Sequence, residues 1–146
     1  MAERSATAIW KGNLSEGSGK IKSATGVISD QKVTWAARTE DPAGMTSPEE
    51  LIAAAHAACY AMAFSNVLNS NGTPPDQLEV TAKVGFGPNP EGGMKVTYSK
   101  LSVKGKSPGV DAATFERLAA EGEQGCPVSN ALRNNVEITV DASLST

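Results

Sequence analysis

The sequence predicts an α+β fold, with mainly antiparallel sheet around one long central helix. Three observations carry that expectation. Strand-like segments come in runs with helices between the runs, which is the pattern of an antiparallel α+β fold. A near-apolar, Ala-rich stretch at 51–64 has helix start signals before it and stop signals after it. The 146 residues match one domain and can bury a core without disulfide or metal staples. No repeat, low-complexity block or linker divides the chain, so 1–146 reads as a single domain.

Each element follows from local chemistry. Residues 5–11 suit a first strand, Gly12 to Gly19 a turn, and 20–28 and 31–38 two further strands with β-branched and aromatic positions. Asp41-Pro42-Ala43-Gly44 is a loop signal. Ser47 is an N-cap, Pro48 fits the first helical position, and Glu50 completes a capping box. That helix is expected to run to about Ser70, where Asn71-Gly72 and then Pro74-Pro75 stop it. Ala53, Ala54, Ala57, Ala58 and Ala61 put small residues on several faces, which predicts close packing all round. Strands are expected at 77–86 and 94–104. Asp111 can cap a second helix with Phe115, Leu118 and Ala119 on its buried stripe, weakened toward its end by Gly122 and Gly125. Cys126-Pro127-Val128-Ser129 opens a short third helix to about Arg133, and 136–144 alternates as a last strand.

Composition removes several function classes. Thirteen Lys+Arg against sixteen Asp+Glu give a net charge of −3, so no positive field attracts nucleic acid or an anionic membrane. Cys59 and Cys126 lie 67 positions apart and His56 is the one histidine, a set too sparse for a self-contained zinc site. No GxSxG accompanies His56. Gly85-Phe86-Gly87 starts like a dinucleotide fingerprint but has Pro90 at the third glycine position, and Gly105-Lys106-Ser107 lacks the first glycine of a phosphate loop. The N-terminus has neither the basic nor the apolar region of a secretory signal. The 51–64 run has fourteen residues, which reads as too short for a bilayer span. A cytoplasmic protein is expected.

The two cysteines remain. Cys59 lies mid-helix in apolar surroundings, where a thiol is either an inert core residue or one activated by a specific neighbour. Cys126, before Pro127, falls at a helix N-cap, where unpaired N–H groups favour a thiolate. A permanent disulfide between them conflicts with a reducing cytosol; a transient one does not. Lowering a thiol pKa from about 8.5 to about 6 takes roughly 3.4 kcal/mol. One guanidinium at about 4 Å supplies roughly 4 kcal/mol at an effective dielectric of about 20. Of Arg4, Arg38, Arg117 and Arg133, Arg38 ends a hydrophobic segment and is the best placed to reach a core helix.

The run Ser-Pro-Glu-Glu-Leu-Ile-Ala-Ala-Ala-His-Ala-Ala-Cys-Tyr-Ala-Met-Ala at 47–63 resembles the central helix of the OsmC/Ohr family of thiol peroxidases. Cys126-Pro127-Val128-Ser129-Asn130-Ala131-Leu132 resembles that family's second cysteine motif. Arg38, the Gly-rich opening around Trp10 and the closing strand match as well, so the likeness covers nearly the whole chain. Ala-His-Ala-Ala-Cys is closer to the osmotically inducible branch than to the organic-hydroperoxide-resistance branch. Tyr60 stands where Phe is common, and Gly122, Gln124 and Gly125 replace a more regular helix, which is expected to loosen the segment carrying Cys126.

The resemblance implies a role for each matching position. Cys59 is the peroxidatic thiol that becomes a sulfenic acid, and Cys126 the resolving thiol that closes a disulfide with it. Arg38 lowers the Cys59 pKa and orients the peroxide, and Glu49 fixes the guanidinium. Organic hydroperoxides are the implied substrates, with hydrogen peroxide weaker. Core side chains such as Met62 and Phe64 are candidates to line an apolar pocket. An external dithiol, of lipoyl type, is the implied reductant, with no metal, haem or flavin. The alternative is a non-catalytic protein of the same fold that binds a small molecule or senses redox state. Glu49 and Cys59 are ten residues apart, about 15 Å along a straight helix. One arginine bridges that poorly within one chain, so either the helix is bent or Glu49, with or without Arg38, comes from a second chain; the family's intertwined homodimer with sites at the subunit interface satisfies the latter.

Overall fold

The computed structural model describes residues 1–145. The chain divides into two compact units, Met1–Leu51 and Ile52–Thr146. In the first, β1 (Ala6–Lys11), β2 (Ser18–Ser23) and β3 (Gln31–Val33) form an antiparallel sheet in sequence order. The second strand stops short of the expected residue 28 because Ser23 closes a loop. Its N–H donates to the Ile28 carbonyl at 2.9 Å and its hydroxyl accepts the Ile28 N–H at 2.9 Å.

The expected strand over 31–38 is corrected. It ends at Val33, and Trp35–Thr39 form a short helix, α1. Thr34 causes the switch: it is extended, and its hydroxyl accepts the Ala37 N–H at 3.1 Å as an N-cap. Arg38 therefore lies in the last turn of a helix rather than at a strand end.

Helix α2 (Pro48–Ser70) opens at the expected N-cap, with the Ser47 hydroxyl accepting the Glu50 N–H at 3.1 Å, but Glu50 does not complete the expected capping box. The Glu50 carboxylate takes the Thr46 hydroxyl at 2.7 Å. At the other end Thr73 N–H bonds to the Leu68 carbonyl at 3.0 Å, and Gly72, at φ +82°, allows that reversal. The helix is not packed all round. His56, Tyr60, Phe64 and Leu68 form a fully buried stripe at four-residue spacing, whereas Ala54, Ala55, Ala58 and Met62 are exposed. This helix has 23 residues and an 18-residue window of mean hydropathy 1.5, values that the core helix of a soluble protein reaches as well as a bilayer span does. Its Tyr60, Phe64 and Leu68 belong to a protein core with Leu101, Val103 and Phe115.

In the second unit β4 (Gln77–Pro88), β5 (Met94–Lys106) and β6 (Glu137–Leu144) form a sheet in that order. β4 and β5 are antiparallel, with a bulge between Val84 and Phe86. β5 and β6 are parallel, from Tyr98 against Glu137 to Gly105 against Leu144. A parallel pair needs a crossover, and α3 (Ala112–Gly125) and α4 (Pro127–Leu132) supply it. The Asp111 carboxylate caps α3 through the Thr114 N–H at 2.7 Å.

Gly122 and Gly125 do not cut α3 short. A Cβ on Gly122 would lie 3.1 Å from Phe64 Cα and Cβ, so its bareness lets α3 approach α2. That is a packing contact at Gly122, whereas a Cβ on Gly125 would meet nothing within 4 Å. Gly105 has the same role more severely: a Cβ there would meet Phe115 Cζ at 2.3 Å and Leu78 Cδ2 at 3.0 Å. Phe115 is fully buried and packs against Phe64 with the rings tilted by 54° and their centroids 4.9 Å apart, so it has little room to yield. Gly105→Ala is expected to destabilise the fold by about 2 kcal/mol, read as a lower denaturant midpoint at unchanged slope.

Candidate functional site

The described residues hold two clusters of functional groups, one in each unit. In the first, Arg38 from α1 meets Glu49 from the first turn of α2. Arg38 Nε donates to both Glu49 carboxylate oxygens at 3.1 Å, and Nη2 donates to Oε1 at 2.8 Å. Glu49 is buried and Arg38 is partly exposed, with its guanidinium 5.9 Å from the Trp35 ring centre. The fork fixes the guanidinium plane in a way that a lysine could not. Glu49 and Glu50 divide as their positions suggest, one facing Arg38 and the other Thr46. Around this pair lies a cavity of about 340 Å³ lined by Trp10, Leu14, Val33, Trp35, Arg38 and Pro48, among others.

In the second unit, Cys59 and Cys126 come together. Cys126 is fully buried at the N-cap of α4, where its sulfur accepts the Ser129 N–H at 3.5 Å. Cys59 is partly exposed and free, and it packs against the core cluster that holds Cys126, with the Cys126 thiol and the Val128 N–H close enough to act on its sulfur. Burial pushes the Cys59 thiol up, the Val128 N–H pulls it down, and the neighbouring Cys126 adds to the rise. The order of these causes matters. Within this unit the net effect of the surroundings of Cys59 disfavours its thiolate.

Other groups here were not foreseen from sequence. His56 is fully buried, with Nδ1 2.6 Å from the Ser99 hydroxyl and Nε2 2.7 Å from the Ser129 hydroxyl. Glu123 on α3 is buried against Arg133, whose Nη2 lies 2.9 Å from Oε1 and donates to the Glu123 backbone carbonyl at 3.2 Å. The Tyr60 hydroxyl donates to the Ala119 carbonyl at 2.9 Å, which gives the tyrosine a use that phenylalanine lacks. The signal for the first was a lone histidine in an apolar run, since a buried imidazole must find partners. Met62 and Phe64 do not line an apolar pocket together: Met62 is 69% exposed, and Phe64 is packed in the core.

Burial lowers the His56 pKa from 6.5, opposed by the Glu123 charge. The unfolded chain therefore binds this proton more readily than the folded one. Stability from this group is present above about pH 6.5 and is lost as pH falls below it. His56→Gln is expected to flatten the acid side of the stability curve between about pH 6.5 and 5, measured by urea denaturation at each pH.

The OsmC-like protein family matches residues 40–141. The chain is 38% identical over 135 residues to peroxiredoxin OsmC of Escherichia coli K12, covering 92% of each. It is 34% identical over 96 residues, 65% of each chain, to the organic hydroperoxide resistance protein of Xanthomonas axonopodis pv. citri. Among solved structures, OhrB of Bacillus subtilis superposes with a TM-score of 0.75 at 26% identity, over 95% of this chain and 98% of that one. An organic hydroperoxide resistance protein of Elizabethkingia anophelis gives 0.76 at 30% identity, over 99% and 98%. With two cysteine motifs in order on this fold, and a match running from before α2 into β6, the chain belongs to the OsmC family.

Proposed function

We propose that this chain is a cysteine-based peroxidase that reduces organic hydroperoxides, and hydrogen peroxide more weakly. The observation that carries the reading is the meeting of the Cys59 and Cys126 thiols at the start of α4. The names of the relatives, peroxiredoxin and organic hydroperoxide resistance protein, point to the same chemistry. Because the family match crosses the boundary between the two compact units, we read 1–146 as one working domain.

The Cys59 thiolate attacks the terminal peroxide oxygen. An S–O bond forms, the O–O bond breaks, and the alkoxide leaves and takes a proton as the alcohol. The resulting Cys59 sulfenic acid is attacked by the Cys126 sulfur. The S–S bond forms, the S–O bond breaks, and the hydroxide leaves with the Cys126 proton as water. An external dithiol, of lipoyl type, then reduces the disulfide, and no bound cofactor takes part. Such a cycle suits the cytoplasm, where thiols are kept reduced.

Cys59 needs a cation, and the Glu49-fixed Arg38 is the group suited to supply it. The ten-residue spacing from Glu49 to Cys59 favours supply from a second copy of the chain. The exposed Ala54, Ala58 and Met62 on α2 also suit a homodimer. The mostly apolar lining beside Arg38, with Trp10, Leu14 and Trp35, suits an alkyl or aryl peroxide. A monodisperse monomer at micromolar concentration in solution scattering would count against the dimer.

The first experiment is intact mass and free-thiol titration of reduced protein, before and after one equivalent of cumene hydroperoxide. Loss of both thiols and two hydrogens is expected. Two unchanged thiols after minutes would instead support a non-catalytic small-molecule binder or redox sensor on this fold.

A further inference from the structure

His56 links the resolving segment to two other elements of its unit. It projects from α2, three residues before Cys59, and its two ring nitrogens bond Ser99 on β5 and Ser129 on α4. All three residues are fully buried. A neutral imidazole carries one donor and one acceptor, so two hydroxyls satisfy it completely, and each hydroxyl in turn depends on it. Ser129 is engaged twice. Its hydroxyl meets His56, and its backbone N–H donates to Cys126 Sγ at 3.5 Å. The backbone N–H of the preceding residue, Val128, lies near enough to Cys59 to lower its pKa. The amides that face the two sulfurs are thus consecutive, and the imidazole ties down the residue carrying one of them.

Helix α4 has only six residues, so the few side chains that anchor it, Cys126, Val128 and Ser129 toward the core and Arg133 on Glu123, fix its rotation. Closing a disulfide brings two sulfurs to about 2.05 Å with a defined torsion, so the angle at which α4 presents Cys126 matters. We propose that His56 is a positioning residue for the resolving step: through Ser129 it sets α4 so that Cys126 is aimed at the Cys59 sulfenic acid. This rests on the peroxidase reading and assigns His56 no contact with the peroxide. The reaction it assists is Cys59–SOH plus Cys126–SH giving the disulfide and water.

The test separates the two chemical steps in a single turnover. Reduced wild type, His56→Leu, His56→Gln and Ser129→Ala are mixed with one equivalent of cumene hydroperoxide. Hydroperoxide loss reports sulfenic acid formation. Quenching with dimedone and weighing the intact protein separates trapped sulfenic acid from disulfide. Ser129→Ala and His56→Leu are expected to close the disulfide roughly tenfold more slowly, with hydroperoxide loss within about twofold of wild type. Trapped sulfenic acid rises accordingly. His56→Gln, whose amide can still bond the Ser129 hydroxyl, recovers part of the closure rate. Ser129→Ala removes one atom and keeps the backbone N–H, so it carries the test if the core substitution at His56 fails to fold. Wild-type closure in Ser129→Ala, or equal slowing of both steps, overturns the inference while leaving the peroxidase reading intact. Failure of the wild type to form either product overturns both.

Discussion

Cys59→Ser is expected to abolish hydroperoxide reduction, by roughly a thousandfold or more, because a hydroxyl has no accessible anion at neutral pH and the peroxide then meets no nucleophile. Cys126→Ser is expected to behave differently. It consumes one equivalent of hydroperoxide at nearly the wild-type rate and then stops at a sulfenic acid, which dimedone traps. With a dithiol present it turns over on the order of tenfold more slowly, since the reductant must attack the sulfenic acid directly. The contrast between one full burst and none is the informative readout. It separates a thiol that does the attack from one that completes it. If both variants retained turnover with cumene hydroperoxide, the two sulfurs would be neighbours without a shared reaction.

The geometry behind that contrast was readable in part. The α2 boundaries are written locally: Ser47 and Pro48 start the helix, Asn71-Gly72 ends it, and both ends form by contacts within a few residues. The Cys126 N-cap is likewise local, because Pro127 dictates it. Thr34 was the local signal that was overlooked. Its hydroxyl outcompeted the β-branched pattern and turned the segment carrying Arg38 into a helix. The remaining features depend on partners distant in sequence. His56 bonds residues 43 and 73 positions away, so only the fold could name them. The parallel pairing of β5 with β6 and the close approach of Gly122 to Phe64 are long-range in the same sense. The exposed alanines of α2 show why the expectation of all-round packing failed: small residues permit close approach without specifying that one chain provides the neighbour.

That last point governs the prediction for Arg38. Arg38→Ala is expected to shift the pH profile of sulfenic acid formation upward by about 2 units, since removing a cation beside a thiolate raises its pKa. At pH 7 the thiolate fraction, and the rate with it, then falls by roughly ten- to a hundredfold. Glu49→Gln, which leaves the guanidinium charged but loosely held, should produce a smaller shift in the same direction. The source of the cation is tested by complementation. Arg38→Ala and Cys59→Ser chains are each inactive alone. Refolded together at equal amounts, about half the dimers are mixed by random pairing of two copies. If Arg38 acts across the interface, each mixed dimer has one site with an intact Cys59 from one chain and an intact Arg38 from the other. About a quarter of wild-type activity then returns. If Arg38 acts within its own chain, every intact Cys59 faces the alanine and nothing returns. The decisive quantity is whether two defective chains restore each other, because the surroundings of Cys59 within its unit oppose the thiolate that a guanidinium would stabilise.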